Sequence, residues 1–252
     1  MIAAIVQARM GSSRLPGKVL MPVEGKPMLW HLVGRLRRAE LLDKIIIATS
    51  DKEADKPILK LAGEMGVDGY AGSEDDVLDR YYQAATQFGS DAIVRITADC
   101  PLIDPHIVDM VVRRFLRGDC DYVSNTLKWT YPDGVDTSIF SYTALEKAWR
   151  EAKWASEREH VTPYIRKNPD KFRLVGLESP EDLSCYRWSV DRQEDLELVR
   201  QVFKYLYKEG EVFYMEDVLK LMQQHPELAE INKNVVSNEG YQKSLRQDRI
   251  VK

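Results

Sequence analysis

Residues 5–20, IVQARMGSSRLPGKVL, leave an apolar run and enter a loop holding two glycines, two serines, two arginines, a proline and a lysine. The apolar part belongs to IAAIVQA (2–8), a short run without polar alternation, as in a strand buried on both faces. A helical pattern follows in 27–39, where Leu29, Leu32, Val33 and Leu36 recur at helical spacing, and then a second β-branched run, KIIIATS (44–50). Strand, helix, strand makes a β-α-β unit. The alternation continues with a helix at 53–65, a strand at 67–71, a helix at 76–88 and a strand in 91–101 that ends in a polar loop. Such a pattern predicts an α/β fold whose mostly parallel, mixed sheet carries helices on both faces.

Farther along, the pattern loosens. A helix from Pro105 to about Leu116 precedes a strand at 120–125 and an aromatic, turn-rich loop at 126–140. Helices at 143–153 and 157–167, strands at 172–177 and 185–190, and helices at 193–208 and 215–224 follow, and the rest is polar with weak periodicity. The expected organisation is one main domain over 1–210 and a C-terminal helical appendage and tail over 211–252.

Bulk properties narrow the function classes. With 252 residues, 44% hydrophobic and 30% charged, the chain can bury a substantial core. Its net charge of −4, without a long basic run, argues against a nucleic-acid surface. Cys100, Cys120 and Cys185 are widely spaced and odd in number, which suggests neither a disulfide framework nor a zinc cluster. No leader pattern and no apolar run of membrane-spanning length is present, so the expectation is a cytoplasmic protein with no membrane partner.

In open parallel sheets, ligands collect where loops leave the carboxyl ends of strands. In the first such loop Gly11 and Gly17 allow close backbone approach, Ser12 and Ser13 add donors, and Arg9, Arg14 and Lys18 bring three cations. Together they describe a polyphosphate cradle, against the plainer reading of a basic surface loop. Neither G-x-x-x-x-G-K-[ST] nor G-x-G-x-x-G fits it. Asp99 follows the strand AIVRIT and Asp191 ends the predicted 185–190 strand, so two carboxylates reach the same sheet edge. They can hold Mg²⁺, an ion that usually takes only one or two protein carboxylates. Asp191 has a second reading as a helix N-cap, worth about 1 kcal/mol.

QARMGSSRLPGKVL resembles the signature of nucleotidyltransferases that form nucleotide sugars, specifically the cytidylyltransferases that activate 3-deoxy-manno-octulosonate and acylneuraminates with CTP. RITADCPLIDP (95–105), YPDGVD (131–136), SEREHVTPYIRKNPDKF (156–172) and VDRQEDLELVR (190–200) resemble the spore coat polysaccharide biosynthesis protein F family within that superfamily. The resemblance spans about residues 2–208. It implies a GT-A-like, Rossmann-related fold and a Mg²⁺-dependent transfer of CMP from CTP to a small sugar-acid acceptor, with release of pyrophosphate, for surface polysaccharide. By the same resemblance Ala8, Arg9, Gly11, Ser12, Ser13, Arg14 and Lys18 meet the triphosphate, Asp99 and Asp191 hold the metal, and Ser73 and Arg80 meet the base. Arg14, Lys18, Asp99 and Asp191 are then the catalytic set. A homodimer through about residues 140–185 is the expected assembly.

The acceptor is expected near Tyr131, Asp133, Asp136, Arg158 and His160. The two aspartates can accept from sugar hydroxyls, Tyr131 can offer a stacking face, and Arg158 or His160 can pair with a carboxylate. The plainer readings are a helix N-terminus around Ser73 and Arg80, a solvated helix face at Glu157 to Glu159, and an interior His160. The chain departs from the family pattern at Ser138, where an acid usually follows the G-x-D segment by two positions. A GT-A glycosyltransferase and a catalytically silent nucleotide binder are the competing classes. The first wants a D-x-D motif, and Asp99 stands in ADC with a single acid.

Overall fold

The computed structural model describes residues 1–251. Nine strands are β1 (Ile2–Gln7), β2 (Pro22–Val23), β3 (Lys26–Pro27), β4 (Lys44–Ser50), β5 (Asp68–Gly72), β6 (Ala92–Thr97), β7 (Tyr122–Ser124), β8 (Ser138–Ser141) and β9 (Leu174–Gly176). The helices are α1 (Met28–Leu36), α2 (Lys56–Glu64), α3 (Val77–Gln87), α4 (Pro105–Phe115), α5 (Tyr142–Glu151), α6 (Ala155–His160), α7 (Pro163–Lys167), α8 (Gln193–Leu206), α9 (Met215–Gln224), α10 (Glu227–Glu230) and α11 (Glu239–Arg246). Apart from the small β2–β3 hairpin, the strands form one sheet in the order β5-β4-β1-β6-β8-β7-β9. β5, β4, β1 and β6 run parallel, and β8 lies antiparallel between β6 and β7. This is the mostly parallel mixed α/β sheet that the strand-helix alternation predicts.

Alternate residues of each central strand feed opposite cores. Ala4, Val6, Ile47, Val94 and Ile96 pack with Leu29, Leu32, Ile58, Val108 and Val111 of α1, α2 and α4. Ala3, Ile5, Ile46, Ala48 and Ile93 pack instead with Leu78, Tyr81, Leu145 and Ala148 of α3 and α5. Both faces are covered, which is why the strands read as continuous apolar runs. A third cluster lies beside the sheet, where Leu15, Tyr131, Trp188 and Val190 meet Leu196, Val199, Phe213, Val218, Leu221 and Leu228. Helix α9 is thus packed through the same apolar cluster as α8.

Three local expectations are corrected. The loop expected at 126–140 gives its last residues to β8, whose Ile139 and Phe140 serve opposite cores. The helix expected at 157–167 is split, because Pro163 has no N–H to offer the Glu159 carbonyl and Val161 takes a left-handed φ of 70°. The strand expected at 185–190 does not form: its start belongs to a turn closed by the Tyr186 amide on the Leu183 carbonyl, and the segment makes a single bridge, Asp133 to Arg187. Beyond residue 225, where the sequence carried little periodicity, the chain forms α10 and α11.

That lone bridge depends on Gly134. Its φ is 121°, and a Cβ there would stand 2.6 Å from the Trp188 carbonyl carbon and 2.7 Å from the Ser189 nitrogen. The neighbouring carbonyl of Asp133 accepts from the backbone amides of both Trp188 and Ser189. Gly134→Ala combines backbone strain of about 1–3 kcal/mol with a steric collision. It is expected to lower the melting temperature by about 4 °C or more. An unchanged thermal melt would show that the two backbones need not approach so closely.

Candidate active site

The loop after β1 is tied down before it presents any side chain. The Met10 amide donates to Asp55 Oδ1 at 2.7 Å, and the Met10 carbonyl accepts from the amides of Ser12 and Gly17. Gly17, with φ 72°, turns the chain into a short 3-10 turn at Lys18–Leu20. Leu15 drops into the third apolar cluster. Ala8, Arg9, Ser12, Ser13, Arg14 and Lys18 then line a cavity of about 500 Å³ at the carboxyl edge of the sheet. Gly11 and Gly17 are not among the lining residues.

Lys18 joins this loop to two distant segments. Its Nζ donates to Asp99 Oδ2 at 3.1 Å, to Asp191 Oδ1 at 2.9 Å and to the Val190 carbonyl at 2.5 Å. The Asp99 carbonyl in turn accepts from the Val190 amide. Burial works against the Lys18 charge, but the two carboxylates more than offset it and raise its pKa. Burial likewise opposes ionisation of Asp99 and Asp191. Lys18 reverses this for both, with Arg14 adding to it at Asp191, so each sits below the usual carboxylate range.

Asp191 does not cap α8. That task falls to Asp195, which accepts from the amides of Asp191 and Arg192. The Asp191 side chain turns instead to Lys18, to Arg14 at 2.8 Å and to Arg187 at 3.1 Å. Arg187 is the other hub. Its guanidinium also binds Asp133 at 2.8 Å and Asp195 at 3.0 Å.

Asp133 and Asp136 both reach the cavity. Burial raises both pKa values. Arg187 counters the effect at Asp133, whereas Asp136, beside the charges of Asp133 and Asp99, is pushed up to about 8. Arg80 lines the cavity from α3, almost fully buried. It donates through Nη1 to the Ser73 carbonyl, and its Nε has no hydrogen-bond partner.

Several expected residues are placed elsewhere. Ser73 lies outside the lining, its Oγ accepting from the Asp76 amide. Tyr131 is only 6% exposed and packs in the third apolar cluster, so its ring has no face free for a sugar. Arg158 is buried and committed to Asp76 at 2.6 Å and to the carbonyls of Trp149 and Ala152. It braces α6 against α3 rather than meeting the main cavity. Ser138 bonds Tyr122 and Ser124 inside the sheet and does not line the cavity. His160 does line it. Burial, opposed by Glu159 and reinforced by Arg95 and Arg9, brings its pKa to about 4, and the ring is neutral at pH 7.

Other lining residues carried less obvious signals. Arg95 is a lone charge inside the apolar run IVRIT, and Arg187 interrupts the apolar YRWSV in the same way. A charge within a buried segment needs a partner or a ligand, and that was the available clue. Gly240, Tyr241, Lys243, Ser244 and Gln247 of the C-terminal segment also line the cavity, and no sequence pattern announced them.

The donor set bears on a metal. Asp99 and Asp191 place two hard oxygen donors around one cationic position, and Asp99 Oδ1 has a long contact from Cys100 Sγ at 3.6 Å. Among the described residues no group of three or more His, Cys, Asp or Glu side chains is placed to hold an ion. Such a pair fits a cation like Mg²⁺ that draws its remaining ligands from phosphate and water.

The chain as a whole is similar to proteins of known sequence and structure. Residues 3–230 match the family model described as cytidylyltransferase. An uncharacterized protein of Methanocaldococcus jannaschii is 38% identical over 238 residues, spanning 93% of this chain and 95% of its own. The spore coat polysaccharide biosynthesis protein SpsF of Bacillus subtilis is 33% identical over 235 residues, spanning 90% and 96%. A solved cytidylyltransferase from Leptospira borgpetersenii superposes with a TM-score of 0.87 at 32% identity, covering 90% of this chain and 96% of that one.

The Asp136 environment makes stability depend on pH. An unfolded aspartate loses its proton near pH 4, about its reference value, whereas the folded one keeps it to about pH 8. The contribution of this proton is therefore complete below about pH 4 and is lost as the pH rises through about 8. Asp136→Asn is expected to flatten the fall in melting temperature between those limits. Identical pH profiles for the variant and the parent would remove Asp136 as the source.

Proposed function

The chain belongs to the cytidylyltransferase family, and from that premise we propose that it transfers CMP from CTP to an acidic sugar, releasing pyrophosphate, in the making of a surface polysaccharide. One observation carries the reading. A glycine-, serine- and arginine-bearing loop converges, through the Lys18 ammonium, on the carboxylates of Asp99 and Asp191. A phosphate cradle alone supports only anion binding, whereas a cradle beside two paired carboxylates suits phosphoryl chemistry.

In this reading Arg9, Arg14, Ser12 and Ser13 receive the triphosphate oxygens, with Gly11 and Gly17 letting the backbone come near. Arg14 exchanges its contact with Asp191 for a phosphate. Arg80, buried and with Nε unpartnered, meets the cytosine. Asp99 and Asp191 would hold Mg²⁺, which supplies charge neutralisation at the α-phosphate when bound. The acceptor hydroxyl oxygen forms a bond to the α-phosphorus while the bond to the bridging oxygen of the β-phosphate breaks. Pyrophosphate leaves with that electron pair, and the hydroxyl proton passes to water. Asp133, fixed by Arg187, and Asp136, still protonated at neutral pH, offer the acceptor hydroxyls one hydrogen-bond acceptor and one donor. Fixing both reactants in line can remove about 7–11 kcal/mol of the barrier.

Incubation with each nucleoside triphosphate, Mg²⁺ and a panel of sugar acids should release pyrophosphate with CTP and one acid. Tight CTP binding without release for any acid would overturn the reading. Asp99→Asn is expected to cut turnover by about 100-fold or more, the range for losing a preorganised electrostatic contact, with an unchanged circular dichroism spectrum. Near-normal turnover at saturating Mg²⁺ would take the metal away from Asp99.

A further inference from the structure

Helix α11 lies beyond the segment that matches the family model. It buries none of its side chains, so core packing does not account for its position. Polar ties hold it at the cavity mouth. Glu239 binds Arg192 at 2.9 Å and stands 3.9 Å from Arg14. Ser244 Oγ lies 2.7 Å from Glu159 and 3.0 Å from His160 Nε2. Just past the helix, Asp248 accepts from the amide and hydroxyl of Ser156. Gly240, Lys243, Ser244 and Gln247 stand at i, i+3, i+4 and i+7, one helical face, and all four line the cavity. Tyr241 lines it too, its ring edge-on to His160 at 4.9 Å.

The cations around the cavity are unequally committed. Arg14, Lys18 and Arg187 each pair with carboxylates, and Arg158 is committed to Asp76. His160 is neutral at pH 7. Arg95, on β6, neighbours Asp136 and has an unpartnered Nε, and Arg9 belongs to the phosphate loop. Lys243 lines the cavity from α11 and has no carboxylate partner among the described residues. A flexible ammonium at a cavity wall, without an internal counterion, is suited to an anionic group of a ligand.

We propose that α11 forms the acceptor wall of the site and that Lys243 binds the carboxylate of the acceptor sugar, making it the residue that selects acids over uncharged sugars. This assignment rests on the reading of the chain as a cytidylyltransferase for an acidic sugar. Tyr241 forms the adjoining aromatic wall, and the Ser244 and Asp248 ties hold both in place. Arg158, which the sequence offered for the carboxylate, is replaced in that role by a residue some 85 positions later.

The test compares full-length wild type, Lys243→Met, Lys243→Arg and Gln242→Ala. Each is assayed for pyrophosphate release with CTP and the sugar acid that wild type uses, and with the uncharged primary amide of that acid. A charged hydrogen bond of ordinary strength predicts that Lys243→Met raises the acceptor KM about tenfold or more while the KM for CTP stays within about twofold. The preference for acid over amide should fall by the same factor, be largely restored by Lys243→Arg and be untouched in Gln242→Ala. A Lys243→Met enzyme that turns over with its preference unchanged overturns the Lys243 assignment alone. Wild type that releases no pyrophosphate with CTP and any sugar acid overturns the functional reading and this assignment together.

Discussion

The site depends on one buried ammonium finding three acceptors. A lysine has three N–H donors, and Lys18, with a side chain only 9% exposed, gives one each to Asp99, Asp191 and the Val190 carbonyl. Any of these alone would leave the charge poorly compensated, at a cost of several kcal/mol. The same cation makes it possible for two carboxylates to stand side by side, which their mutual repulsion would otherwise oppose. Three segments far apart in the chain therefore share one electrostatic solution. Without the Lys18 charge the Val190 amide would still tie the segment before α8 to the Asp99 carbonyl, but Asp99 would lose its cation and Asp191 would keep only Arg14 and Arg187.

Around that point the charges form a mosaic rather than a patch. Arg187 gathers Asp133, Asp191 and Asp195, and Asp195 also accepts from the amides of Asp191 and Arg192, just before α8. Helix α8 is thus started by the same carboxylate that steadies the cavity's second cation. Asp136 has no ion pair among the described residues, and the nearby Arg95 offsets its burial too little to remove its proton at neutral pH. Local folding and site electrostatics are one network here, which is why the cavity floor and the N-terminus of α8 cannot be varied separately.

How much of this was legible in the sequence followed the kind of interaction involved. Hydrophobic runs and helical spacing revealed the sheet and most helices, because burial on two faces leaves a periodic record in sequence. The loop at 8–18 and the carboxylates at 99 and 191 were legible as residue types at strand ends. Contacts between segments were not. Tyr131 read as a free aromatic because its core partners, Trp188 and Val199, are remote in sequence. Arg158 read as an available cation because nothing local reveals Asp76, the residue that caps α3. β8 was hidden in a loop-like composition, since its pairing with β6 and β7 is tertiary, and the split of α6 from α7 turned on one proline and one residue with a left-handed φ. The cavity-facing side of α11 left no trace, because a polar face that meets a cavity has the same composition as one that meets water.

That last helix separates two properties that most active-site elements combine. α1, α3 and α4 each carry core residues, so changing them changes folding as well as function. α11 contributes no buried side chain and is fixed by a few polar ties at its ends and middle. Substitution along its cavity face falls among exposed positions, where the effect on global stability is usually within about 0.5 kcal/mol. The cavity-facing side of α11 can therefore be altered at little cost to the fold, whereas the sheet and the loop after β1 cannot, as a replaceable face on a fixed frame.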